Sequence, residues 1–154
     1  MSGTQPRARY QLIIIVKSSP TNDVRRGRLR HLIKIQTANL NSSVRLLFSL
    51  GVPADIVNRS RLLDAISDEA TRFDDIILTD FTDTYYNLTL KTLLNLRFAC
   101  VACLGASPLF VFMDNDHGLN LSFLLDYFHT FDREEKHRRS SGILSSAIYT
   151  SSQR

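Results

Sequence analysis

The sequence predicts an α/β fold, a mostly parallel sheet with flanking helices. Three observations carry this. Tyr10 to Val16 (YQLIIIV) and Leu109 to Met113 (LFVFM) are continuous apolar runs rich in β-branched and aromatic residues, the pattern of strands buried on both faces. Each ends abruptly in turn-forming residues, KSSPTND after the first and DND after the second. Strand-like and helix-like segments alternate along the chain, which is the signature of βαβ units.

Taken in order, residues 1 to 9 are polar and read as a disordered start. The first strand, Tyr10 to Val16, is followed by a turn at Lys17 to Asp23 and a helix from Val24 to Gln36. Val44 to Leu50 (VRLLFSL) is the second strand, closed by Gly51-Val52-Pro53. Arg61 to Thr71 reads as helix and Asp75 to Thr79 (DIILT) as a short third strand. From Tyr85 to Leu104 apolar residues recur at helical spacing, so Tyr86, Leu90, Leu93, Leu94, Val101 and Leu104 are expected to form the buried stripe, with Arg97 snorkelling or paired inside it. Leu109 to Met113 is the fourth strand and Leu119 to Phe131 a further amphipathic helix. The domain is thus placed at residues 10–131, and residues 132–154 as a charged and then Ser-rich tail.

The 154 residues, 44% hydrophobic and 22% charged, suit one globular domain rather than a fibrous or disordered chain. A net charge of +4 is modest, and the basic residues cluster only at Arg25 to Arg30 and Arg133 to Arg139, so nucleic acid is not expected as a partner. Purely apolar runs such as Leu12 to Val16 fall far short of the roughly 20 residues that span a bilayer, so neither a membrane span nor a signal peptide is expected in this chain. Cys100 and Cys103 are too few and too close for a disulfide framework. P-loop, dinucleotide, zincin and nucleophile-elbow motifs are not found.

Three segments could carry chemistry. Asp114-Asn115-Asp116 follows the fourth strand directly, and two carboxylates so placed raise each other's pKa unless a cation compensates. A divalent metal would do so, bridging to nucleotide phosphates, with His117 as a further ligand or phosphate contact; the alternative is an ordinary Asx turn. DFTDTYYNLTLKT, Asp80 to Thr92, runs from a loop into a helix. Asp83 or Thr84 could cap that helix, Tyr85 and Tyr86 could stack on a base or sugar, and Lys91 is the cation near its start; capping plus core aromatics is the simpler account. Arg25, Arg26, Arg28 and Arg30 stand at the start of the first helix, where they could gather phosphate or form a solvated face. Sequons at Asn41, Asn58, Asn87 and Asn120 tilt toward the secretory pathway.

Together these segments resemble glycosyltransferase family 31, the β-1,3-galactosyl- and β-1,3-N-acetylglucosaminyltransferases, from about Leu12 to Phe128. DFTDTYYNLTLKT keeps every fixed position of the family block D-F-x-D-x-Y-x-N-L-T-x-K-T. LFSLG resembles its F-x-L-G strand end, and Glu69 with Phe73 to Ile77 its E-x-x-x-Y-x-D-I-I step. LFVFMDNDHGLN stands where the family has a strand and D-D-D, with Asn115 at the centre. Arg25, Arg26 and Arg30 fall on R-R-x-x-I-R-x-T-W, with Leu32 and Ile33 in place of Thr and Trp.

The resemblance implies a Rossmann-like GT-A fold and a UDP-sugar donor. It implies Mn²⁺ held by Asp114 and Asp116, and a glycan acceptor on protein or lipid that receives galactose or N-acetylglucosamine in β-1,3 linkage. Asp114 and Asn115 would face the donor's ribose or phosphates, Asp80 and Lys91 would lie near the nucleotide pocket, and Arg25 and Arg30 would contact the donor. It also implies the lumenal side of the Golgi membrane, through an anchor not seen in this chain. Nothing after Phe131 resembles the family's C-terminal half with its acidic general base, so the expectation is a truncated, donor-binding half. The alternatives are a catalytically inactive fragment, a non-catalytic partner of a full-length glycosyltransferase, and an unrelated nucleotide-binding α/β module that binds without metal.

Overall fold

The structure, a computed structural model, describes residues 10–40, 42–103, 106–107 and 109–135. The expected disordered start, the sequon at Asn41, the stripe residue Leu104 and most of the tail lie outside the described residues. The chain divides into two compact units, residues 1–121 and 122–154.

The first unit holds four parallel strands, β1 (Leu12–Lys17), β2 (Val44–Pro53), β3 (Ile76–Asp83) and β4 (Phe110–Asp114), in the order β3-β2-β1-β4. The helices are α1 (Asp23–Leu40), α2 (Arg59–Phe73) and α3 (Leu88–Val101), the last preceded by a short 3₁₀ turn, Tyr85–Asn87. β1 is central, and Leu12 to Val16 are essentially without solvent exposure, as their uninterrupted apolar run requires. Burying each contributes roughly 1.5–3 kcal/mol.

Alternation along the strands sends the core to both faces of the sheet. Ile13, Ile15 and Leu47 pack with Ala99 of α3 and with Cys103, just past its end, on one face. Arg30 of α1 lies over the Phe48 ring on the other, with α2 beside it. The strand order reverses between β1 and β4, so the carboxyl ends of these two strands flank the crevice where ligands of open α/β sheets bind.

Several elements run past their expected bounds. α1 continues to Leu40 because no Gly or Pro follows Gln36 to stop it. β2 passes through Gly51-Val52-Pro53 instead of closing there, with a register shift between Gly51 and Val52. β3 extends to Asp83 as an edge strand, in which Thr79, Phe81 and Asp83 are half-buried while Asp80 and Thr82 face solvent.

The expected stripe of α3 is overturned. Tyr86, Leu90, Leu93 and Val101 are exposed, and the helix buries Lys91, Asn95 and Ala99 instead, because Lys91 finds a carboxylate beneath it. Arg97 is exposed rather than part of a buried stripe.

The second unit begins within α4 (Leu121–Glu135), a continuous helix with the Phe123 and Tyr127 rings stacked at 6.4 Å; its last residues reach into the segment read as tail. No helix among the described residues is long and apolar enough to cross a membrane.

Candidate functional site

At the reversal point of the sheet, Lys17 ends β1 opposite Asp114, which ends β4. Their side chains form an ion pair of 3.1 Å. Beyond it the chain turns through Asp114-Asn115-Asp116, with the His117 N–H donating to the Asp114 carbonyl at 3.4 Å. Asp114, Asp116 and His117 are exposed, and one ligand atom from each lies within 4.8 Å of the others. His117 Nδ1 is 2.7 Å from Asp116 Oδ1. Two carboxylates and an imidazole converging on one point form a donor set that fits Mn²⁺ or Mg²⁺.

Asp114, Asn115 and Asp116 line a cleft of about 360 Å³ together with Lys17, Ser18, Asp83, Tyr85 and Lys91. Lys91 is 3% exposed, and its ammonium donates to the Ser18 carbonyl at 2.7 Å and to both Asp83 oxygens at 3.0 and 2.8 Å. Burial pulls the Lys91 pKa below the ordinary lysine range, with the hydrogen bond and charge of Asp83 pulling against it. Asp83 Oδ2 also accepts the Gly51 N–H at 2.9 Å. Gly51 is required there, since a Cβ would come within 2.7 Å of the Phe81 carbonyl oxygen and 3.0 Å of Asp83 Cβ. The cleft wall is therefore a chain of contacts from β2 through β3 to α3.

The expected site residues separate into two groups. Asp114, Asn115, Asp116 and Lys91 come together at the cleft, with Tyr85 at its edge and 82% exposed. Tyr86 meets Tyr85 edge to face but does not line the cleft. Asp80 points outward from the edge strand, and the acid of that block that reaches the cleft is Asp83, three residues on and on the opposite face. Neither Asp83 nor Thr84 caps a helix through its side chain: Asp83 is held by Lys91, and Thr84 precedes the 3₁₀ turn without a capping bond.

The arginines of α1 do not line this cleft. Arg25 and Arg28 are exposed. Arg30 is held by Asp75 at 2.7 and 2.8 Å and by Glu69 at 2.7 Å, its guanidinium over the rings of Phe48 and Phe73. Arg26, 1% exposed, makes paired bonds of 2.9 and 2.6 Å to Glu69 and donates to the Ser19 carbonyl at 2.7 Å. Burial works to raise the Glu69 pKa, but hydrogen bonds and charge from Arg26 and Arg30 outweigh it and hold the carboxyl below its ordinary value. Arg26 thus braces the β1–α1 loop from behind, and Arg30 shares its Glu69 partner. Sequence reasoning missed Lys17, Ser18 and Gly51; a cation closing a parallel strand beside a turn was the one available signal for the first.

Comparison with known proteins gives the lineage. The family model described as galactosyltransferase matches residues 25–153, most of the chain. The chain belongs to the galactosyltransferase family. Among its relatives, human lactosylceramide 1,3-N-acetyl-beta-D-glucosaminyltransferase is 31% identical over 125 residues, covering 79% of this chain and 32% of that protein. Human N-acetyllactosaminide beta-1,3-N-acetylglucosaminyltransferase 3 is 36% identical over 121 residues, covering 74% and 31%. Mouse beta-1,3-galactosyltransferase 2 is 27% identical over 133 residues, covering 86% and 31%. This galactosyltransferase-family chain therefore spans about a third of the length of the curated relatives it matches, and its parallel sheet and flanking helices agree with the Rossmann-like α/β fold.

Proposed function

We propose that this chain is the nucleotide-sugar half of a β-1,3-hexosyltransferase that moves galactose or N-acetylglucosamine from a UDP-sugar to a glycan on protein or lipid. One observation carries the reading: Asp114-Asn115-Asp116 projects from the reversal point of the sheet into a cleft that also holds a lysine and an exposed tyrosine ring. Asp114 and Asp116, with His117, would hold Mn²⁺, which when bound neutralises charge on the departing diphosphate. Lys17 adds a second cation at the same oxygens, Tyr85 offers a face to the uracil, and the buried Lys91–Asp83 pair keeps the floor rigid. Asn58 and Asn120 are exposed sequons, which supports a setting on the lumenal side of the Golgi membrane.

A second reading has its own observation. The carboxylates lining the cleft are Asp83, Asp114 and Asp116, and each is engaged, by Lys91, Lys17 and His117 respectively. With its acids so committed, the cleft suits donor binding better than deprotonation of an acceptor, which favours a chain that acts beside a full-length glycosyltransferase. Incubating the chain with UDP-galactose or UDP-N-acetylglucosamine, Mn²⁺ and a galactoside acceptor distinguishes the two. A β-1,3-linked product detected by mass spectrometry establishes the transferase; retention of UDP without product establishes the binding partner.

A further inference from the structure

Ser18, the residue after β1, is 2% exposed, yet all of its polar atoms are engaged, by groups from four parts of the chain beyond its own turn. Its N–H donates to the Ser49 carbonyl of β2 at 3.0 Å, and its carbonyl accepts from Lys91 of α3 at 2.7 Å. Its hydroxyl accepts from Arg26 Nη1 of α1 at 3.2 Å and from Asn115 Nδ2, beyond β4, at 3.1 Å. The hydroxyl proton goes to the Ser19 carbonyl at 3.4 Å. A hydroxyl has one proton and two lone pairs, so this set is complete, and the oxygen is fixed in direction as well as position.

Behind it Arg26 is locked by Glu69, whose carboxylate also takes Arg30. Ahead of it lies the central residue of Asp114-Asn115-Asp116. We propose that Ser18 is a positioning residue of the donor site: held by the buried Arg26–Glu69 pair, its hydroxyl orients the Asn115 amide toward the cleft. One end of the planar amide is tied to Ser18, so Asn115 Oδ1 is left at the other end as an acceptor for a hydroxyl of the bound nucleotide sugar. This rests on the donor-site reading above. It explains why a buried ion pair on the far side of the β1–α1 loop accompanies the site: the pair makes the loop a rigid support rather than a phosphate contact.

The test is a double-mutant cycle on the full chain, with UDP and Mn²⁺ followed by calorimetry. Ser18→Ala and Asn115→Ala are each expected to weaken UDP binding about tenfold, and the double variant no further than either alone. Equal losses from Ser18→Ala in the parent and in the Asn115→Ala background would overturn the proposal, as would no loss at all. The side-chain amide signals of Asn115 in a ¹⁵N spectrum supply a readout that needs no UDP. They are expected to shift toward free-amide positions in Ser18→Ala, and unchanged signals would also overturn it. A parent chain that fails to bind UDP while these signals do shift would remove the donor-site reading and leave the Ser18–Asn115 link standing. If Ser18→Ala does not fold, Ser18→Cys, of similar size but a weak acceptor, takes its place in the same cycle with the same expected outcomes.

Discussion

Replacing Gly51 by alanine tests the contact chain that builds the cleft wall. The new Cβ would stand 2.7 Å from the Phe81 carbonyl oxygen, 2.9 Å from the Phe81 ring and 3.0 Å from Asp83 Cβ. The ring can turn aside; the carbonyl belongs to β3 and cannot. Restoring ordinary contact demands a displacement of about 0.7 Å between β2 and β3. That displacement stretches the 2.9 Å bond from Gly51 N–H to Asp83 and shifts the carboxylate that compensates buried Lys91. Overpacking costs about 1–3 kcal/mol, and loosening the pair adds to it, so a loss of about 3 kcal/mol is expected. For a chain of this length that is a fall in Tm of about 6–12 °C by circular dichroism. Gly27→Ala is the internal control: a Cβ there meets nothing within 4 Å, and alanine in a helix should stabilise by about 0.5–1 kcal/mol. A Gly51→Ala variant within about 0.5 kcal/mol of the parent would refute the argument that Gly51, Asp83 and Lys91 are mechanically linked.

Two further outcomes follow from the same geometry. Lys91→Met leaves Asp83 half-buried without its cation and should cost about 3–5 kcal/mol in urea unfolding; adding Asp83→Asn should recover part of this, and strictly additive losses would show that the pair is not coupled. Glu69, held below its ordinary pKa of 4.5, contributes stability that is present above that value and is lost as pH falls through its lower folded-state pKa. Chemical denaturation from pH 6 downward should therefore show a decline below pH 4.5 that is shallower in Glu69→Gln, and identical profiles would remove Glu69 as its source.

The parts of the fold legible in the sequence are those set by local composition. The runs Leu12 to Val16 and Leu109 to Met113 became the two strands that flank the crevice, and the acidic turn after the second lies in it. What was misread depends on partners far away in the chain. Periodicity assigned the inward face of α3 to its leucines, but Lys91 and Asn95 occupy it, because Asp83 makes burial of an ammonium tolerable there. The arginines of α1 looked like one charged face until Glu69, 43 residues from Arg26, split them into buried and solvated members. Asp80 and Asp83 are equivalent by composition. Only the strand's period of two, carried as far as Asp83, decides which of them turns toward the cleft. Phe81 and Asp83 continue the alternation of Thr79, but Asp80-Phe81-Thr82-Asp83 reads as a loop by composition.

The most direct test of the donor-site account is calorimetric titration of UDP into the full chain, with Mn²⁺ and then with EDTA, in the parent and in Asp116→Ala. The account predicts binding that needs the metal and is abolished in the variant. Equal affinity with and without metal, or an unchanged affinity in Asp116→Ala, would contradict the assignment of Asp114-Asn115-Asp116 as the metal-dependent centre of the site.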